Sequence, residues 1–140
     1  MARLGLVLLA VLSVSCVSSR GSLFPIDFEF IDVPDERRIE LRYRNELAYT
    51  VCLLPEFWPN KAGKIDQASG QVFLVVGDQR FAIEEFNTGY CPDCSLRVGP
   101  GEIVEASIGY DAFSLPESLV TEEKHLEFVP KAYRCRPKAE

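Results

Sequence analysis

Cys91-Pro92-Asp93-Cys94 is the sharpest chemical motif in the chain: two thiols separated by two residues. That spacing serves thiol–disulfide exchange, in which a helix N-terminus lowers the pKa of the first thiol and makes a reactive thiolate. The mechanism needs a helix directly after the motif. Here Ser95-Leu96-Arg97-Val98 runs into Gly99-Pro100-Gly101, which leaves room for barely one turn, and no βαβ pattern surrounds it. The same spacing suits a small loop disulfide, with Cys52 and Cys135 as the second bridge, although four cysteines allow three pairings and the sequence does not choose among them. Chain entropy ranks the two bridges: closing the short loop is worth about 2 kcal/mol, and closing the span from Cys52 to Cys135 about 4–5 kcal/mol. Zinc ligation by Cys91, Cys94 and two further ligands would need a second CxxC, which is missing. No metal or other cofactor is expected.

Other catalytic constellations are thin. The single histidine, His125, removes every site that requires two imidazoles. Its neighbours in an alternating stretch, Lys124 and Leu126, place it on the solvent side, and no GxSxG elbow offers it a nucleophile. Glu84 and Glu85 point to opposite faces of a strand, and no glycine loop is shaped to cradle phosphate. The formal charge is −6 with a pI near 4.9. That balance argues against gripping nucleic-acid phosphates.

Phe57-Trp58, held between Pro55 and Pro59, are the candidate binding residues. Rigid loop aromatics of this type dominate binding hot spots, and they equally serve to plug the open end of a sandwich. Arg37, Arg38, Arg42 and Arg44 gather cations near one strand, and Lys131, Arg134, Arg136 and Lys138 make the final segment basic. Such charges suit lipid headgroups, an acidic partner or simple solvation.

The compartment is written at the start. Met1-Ala2-Arg3 precedes an unbroken apolar run, Leu4–Leu12, about half the length needed to span a bilayer as a helix. Leu12-Ser13-Val14-Ser15-Cys16 resembles the lipobox of bacterial lipoproteins, whose cysteine receives diacylglycerol before the leader is cut on its amino side. The resemblance implies a leader over residues 1–15 and lipidation of Cys16. It also implies attachment to the bilayer through acyl chains, with Val17 in the following position favouring the outer membrane facing the periplasm. The alternative is ordinary secretory cleavage at Ser15 or Ser19, giving a soluble periplasmic or secreted protein. Lipidation leaves Cys52, Cys91, Cys94 and Cys135, an even set; cleavage after Ser19 does too. Loss of Met1–Ser15 removes one cation, Arg3, and leaves a net charge of −7. Residues 16–22 then read as the anchoring cysteine and a short tether, and residues 23–140 as the folded domain.

The elements that must position these groups are strands. Phe24–Phe30 alternates strictly, so a strand is expected there, with Pro25 at its start or on an edge. Arg38–Arg44 alternates with Ile39, Leu41 and Tyr43 inward, and Leu47–Leu54 with Leu47, Tyr49, Val51 and Leu53 on its stronger face. Pro55–Gly70 is a long connection. Gln71–Val76 and Arg80–Phe86 flank the hairpin signal Gly77-Asp78-Gln79. Ile103–Tyr110 faces inward through Val104, Ala106, Ile108 and Tyr110, a helical turn follows Pro116, and Glu123–Val129 is the last clear strand before a tail over Lys131–Glu140. About 7–8 short strands without a sustained helical period predict an all-β, antiparallel sandwich, with a small closed barrel as the alternative. Val98-Gly99-Pro100-Gly101-Glu102 resembles the turn that many bacterial immunoglobulin-like domains carry before a strand.

These readings converge on a lipid-anchored, non-enzymatic sandwich that works by binding a protein, as an inhibitor or immunity-type protein or as an accessory of envelope assembly. The loops Pro55–Gly70 and Asn87–Ser95 would present the contact. The rival is a periplasmic thiol–disulfide oxidoreductase acting through Cys91 and Cys94.

Overall fold

The frame is set by one alternating strand. β3 (Arg38–Arg44) turns Ile39, Leu41 and Tyr43 into the core, where they are fully buried or nearly so, and sends its arginines out. The computed structural model describes residues 21–66, 72–84, 86–87 and 95–137; Cys16, Cys91 and Cys94, and with them the leader and the CPDC motif, lie outside the described residues. β10 (Ile103–Gly109) pairs antiparallel with β3 along its whole length, from Ile103 opposite Arg44 to Gly109 opposite Arg38. β2 (Glu29–Val33) covers the other side of β3, giving a three-stranded sheet in the order β10-β3-β2.

A second sheet runs β1-β12-β4-β9, from β1 (Phe24–Pro25), β12 (Lys131–Arg134), β4 (Val51–Leu53) and β9 (Leu96–Val98). A third, β11-β6-β7, is built on the hairpin of β6 (Phe73–Val76) and β7 (Gln79–Ala82), with β11 (Lys124–Glu127) alongside. Gly77 opens that hairpin turn with φ of 59°, a backbone region that glycine enters without steric cost. A two-residue parallel pair joins β5 (Ile65–Asp66) to β8 (Phe86–Asn87). The fold is thus an all-β sandwich, and no closed barrel forms among the described residues. Its core holds Ile39, Leu41, Val51, Leu53, Trp58, Val98, Ile108, Phe113 and Ala132 in one cluster. Each large apolar side chain there contributes about 1.5–3 kcal/mol by leaving water.

Several expectations change; Arg80–Phe86, for one, divides between β7 and β8. Phe24–Phe30 is not one strand: the chain leaves the second sheet after Pro25 and enters the first at Glu29, so one alternating run serves two sheets. Ile26 still donates its amide to the Pro130 carbonyl at 3.0 Å, and β1 lies at the sheet edge, where a proline costs no ladder bond. Leu47–Leu54 shortens to Val51–Leu53 because the Asn45 side chain captures the preceding segment. It accepts from the Leu47 amide at 3.0 Å and donates to the carbonyls of Tyr49 and Val98, each at 2.9 Å.

The expected tail contains an interior strand. β12 lies between β1 and β4 and places Ala132, fully buried, in the core. Divided elements of this kind raise the strand count above the expected 7–8, to twelve among the described residues.

Candidate functional site

Two contacts set the phase of the β10 ladder. Asn45 donates its amide to the Glu102 carbonyl at 3.0 Å, and Tyr110 donates its amide to the Arg37 carbonyl at 2.9 Å. Even-numbered residues of β10 therefore exchange bonds with β3, and Ile103, Glu105 and Ser107 aim their backbone groups away from it. At Ser107 this outer edge is met by Gly63, whose φ is 72° and where any Cβ would lie 2.6 Å from the Ser107 carbonyl oxygen. Only glycine lets the connecting loop come this close. At Ile103 and Glu105 the edge has no backbone partner among the described residues.

The loop that reaches β10 is self-supported. Asn60 accepts through Oδ1 from the amides of Ala62 and Lys64, and its carbonyl accepts from Gly63 at 2.9 Å. Just upstream, Phe57 donates its amide to the Leu54 carbonyl, which turns Trp58 inward. The indole stacks edge-on against Tyr43, with ring centroids 6.3 Å apart, and is only 3% exposed. Among the described residues its buried Nε1 has no hydrogen-bond partner, nor does one buried carboxylate oxygen of Glu56.

Around this edge lies a cleft of about 790 Å³. On the inner side it meets Leu41, Leu53, Trp58, Leu96 and Val104; on the outer side it meets the charged face of β3 and β10. The charges there are mutually committed. Arg42 bonds Glu105 at 2.8 Å and Glu29 at 3.3 Å, while Arg38 bonds Glu36 and Glu40, each at 2.6 Å. Leu96, in contrast, is 44% exposed at the free edge of β9.

A second polar cluster is fully satisfied. The Lys124 ammonium, completely buried, donates to Asp32 Oδ2 at 3.0 Å and to the carbonyls of Val120 and Glu122 at 2.6 and 2.8 Å. Tyr110 donates its hydroxyl to the other Asp32 oxygen, and its ring centroid lies 4.9 Å from the ammonium. Burial, reinforced by that carboxylate, holds the Tyr110 phenol well above its ordinary pKa. With its three protons used, this lysine ties β2 to β11 and has no donor left for a ligand.

The expected site residues are distributed as follows. Cys52 and Cys135 are bonded, with Cα atoms 5.2 Å apart. Cys16, Cys91 and Cys94 lie outside the described residues, as does Glu85. Glu84 is exposed and accepts from the Ser114 hydroxyl at 2.6 Å, and His125 is exposed. Among the described residues no group of three His, Cys, Asp or Glu side chains is arranged to hold a metal. Of the two roles left open to the aromatic pair, Trp58 takes that of a plug: its loop is folded back onto β10 and its side chain lies in the core, while Phe57 is half-buried, with the Lys131 ammonium 5.6 Å from its ring.

The sequence does not single out Lys124, Asp32 or Asn45, since polar residues in alternating or turn segments read as solvated. It does not reveal the free edge of β10 either, because strand order is not encoded in periodicity. Compared with protein-family models, curated proteins and solved structures, the chain matches none.

Proposed function

We propose that this is a non-enzymatic envelope protein, lipid-anchored through Cys16, that works by binding another protein at the cleft over β10. An inhibitor or immunity-type role and a role in envelope assembly share this design. The observation that supports the reading is the backbone edge at Glu105, which has no backbone partner among the described residues and lies beside an apolar cleft bounded by Leu53, Trp58 and Leu96. Soluble proteins normally cover or charge such edges, because a row of unpaired N–H and C=O groups is a template for another strand. An extended segment of a partner can add main-chain bonds there while its alternate side chains enter the cleft. With Arg38 and Arg42 already paired, recognition would rest on backbone and apolar contact more than on charge.

The test is site-specific photocrosslinking in intact envelopes. A photoreactive side chain at Leu96 or Lys61 is expected to give one discrete adduct, and the same group at Asp78, on the distant β6–β7 turn, none. Equal labelling at all three positions, or none at the first two, overturns the reading. Intact-mass analysis of the exported protein tests the anchor separately: an acylated N-terminal Cys16 is expected, and an unmodified chain beginning elsewhere overturns it.

A further inference from the structure

The arginines among the described residues fall into two classes. Arg37, Arg38, Arg42 and Arg80 each bond a carboxylate. Arg44, Arg97, Arg134 and Arg136 have no carboxylate partner among the described residues: Arg97 donates to the Arg136 carbonyl at 3.1 Å, and Arg134 lies 4.7 Å from the Tyr49 ring centroid. All four unpaired arginines lie toward one end of the sandwich. Arg134 is opposite Val51, Val51 opposite Val98, and Arg44 opposite Ile103, while Asn45 clips the β3–β4 and β9–β10 connections together. The acids on those two connections are Glu46 and Glu102, and Glu102 is committed to the Gly99 amide at 2.7 Å.

Three of the five exposed large apolar side chains among the described residues, Leu23, Leu47 and Ile103, lie at the same end; Leu96 and Val129 do not. Leu47 and Ile103 are 37% and 48% exposed and line, with Arg44 and Tyr49, a shallow opening of about 750 Å³; its acids are Asp27, Glu46 and Glu29, the last bonded to Arg42. Leu23, 46% exposed, directly precedes β1. The chain itself arrives here: a Cβ on Gly21 would lie 3.7 Å from the Arg134 carbonyl oxygen. Gly21 is five residues beyond Cys16, so the anchoring position can be no more than about 18 Å away along the backbone.

Resting on the anchored reading above, we propose that this end of the sandwich is the membrane-facing surface of the protein. Leu23, Leu47 and Ile103 enter the boundary between headgroups and acyl chains, and Arg44, Arg97, Arg134 and Arg136 bond phospholipid phosphates. Long arginine side chains suit this position, since their stems cover apolar surface while the guanidinium reaches the phosphate layer. In a chain of strongly negative net charge, a cluster of unpaired cations at the tethered end sets the orientation. The tether supplies attachment, and the arginines and leucines select which face lies down.

The test is amide hydrogen exchange on the acylated protein in phosphatidylethanolamine vesicles containing phosphatidylglycerol. Slowed exchange is expected over residues 46–50 and 99–103, with the β6–β7 turn unchanged. Binding of the acyl-free chain Val17–Glu140 to the same vesicles is measured in parallel. Each arginine near an anionic surface is worth about fivefold in partition, so the neutralised triple variant Arg44→Gln, Arg134→Gln, Arg136→Gln is expected to bind about 100-fold more weakly. Circular dichroism verifies that this variant is folded, and Ile103→Ser, which leaves the charges intact, reports on the apolar part. Protection at the β6–β7 turn or nowhere, or a folded triple variant that binds as well as the parent, overturns the orientation. An unacylated mass overturns the anchor alone, because binding of the acyl-free chain still decides which end meets lipid.

Discussion

Lys124 and Asp32, ninety-two residues apart in the sequence, meet at 3.0 Å and join the sheet containing β2 to the sheet containing β11. The lysine is fully enclosed, whereas the aspartate retains about a fifth of its exposure. A buried pair of this kind contributes little relative to an apolar replacement, but removing one member strands the other. Lys124→Met is therefore expected to lower unfolding free energy by about 3 kcal/mol in urea titrations. The double variant Lys124→Met, Asp32→Leu should recover at least half of that loss. Equal losses in single and double variants would show that the two charges do not depend on each other.

Tyr110 gives the fold an alkaline limit. Burial and the neighbouring Asp32 carboxylate raise its phenol pKa, so the folded state favours the neutral form. The resulting stabilisation is complete below about pH 10, the value of an unfolded tyrosine, and is lost as pH rises beyond it. Denaturant midpoints of the parent protein should fall steeply above pH 10. Tyr110→Phe should start lower at pH 8, through loss of its hydrogen bond, and then fall less steeply. Tyr43, whose phenol is also raised by burial, leaves a residual slope.

The Cys52–Cys135 bridge spans 83 residues and holds the end of β12 against β4. Replacing both cysteines with serine is expected to cost about 2–5 kcal/mol. Amide exchange should accelerate first in residues 131–134, because the bridge fastens the segment just beyond them.

Asn45 is fully buried and uses both ends of its carboxamide. Asn45→Ala leaves the Val98 carbonyl without that donor and is expected to cost about 2–4 kcal/mol in thermal unfolding. Asn45→Asp should be no better, since a carboxylate cannot donate to the Tyr49 and Val98 carbonyls.

What periodicity could carry, it carried well. Ile39, Leu41 and Tyr43 on β3, and Val104, Ala106 and Ile108 on β10, face inward as their alternation requires, and Gly77 marks its hairpin turn. The misses share one cause. The Phe24–Phe30 run keeps its alternation while changing partners, and β12 contributes one small core residue, Ala132; both are decided by distant strands. Between the two roles open to Trp58 the choice is also distant: it faces inward as a plug because Gly63 allows its loop to close onto Ser107, a contact between segments far apart in the chain. The proposed cleft lay beyond the same horizon: a free edge exists only once the order of strands is known.

β12 has a consequence for how the molecule comes into being. The four-stranded sheet is completed from both extremes of the domain, with β12 between β1 and β4. Until residues 131–134 have emerged from the ribosome, β1 lacks the strand it pairs with and β4 lacks one of its two neighbours. A nascent chain of this protein thus stays incompletely folded throughout most of its synthesis, and the four-stranded sheet closes only when its C-terminal strand arrives.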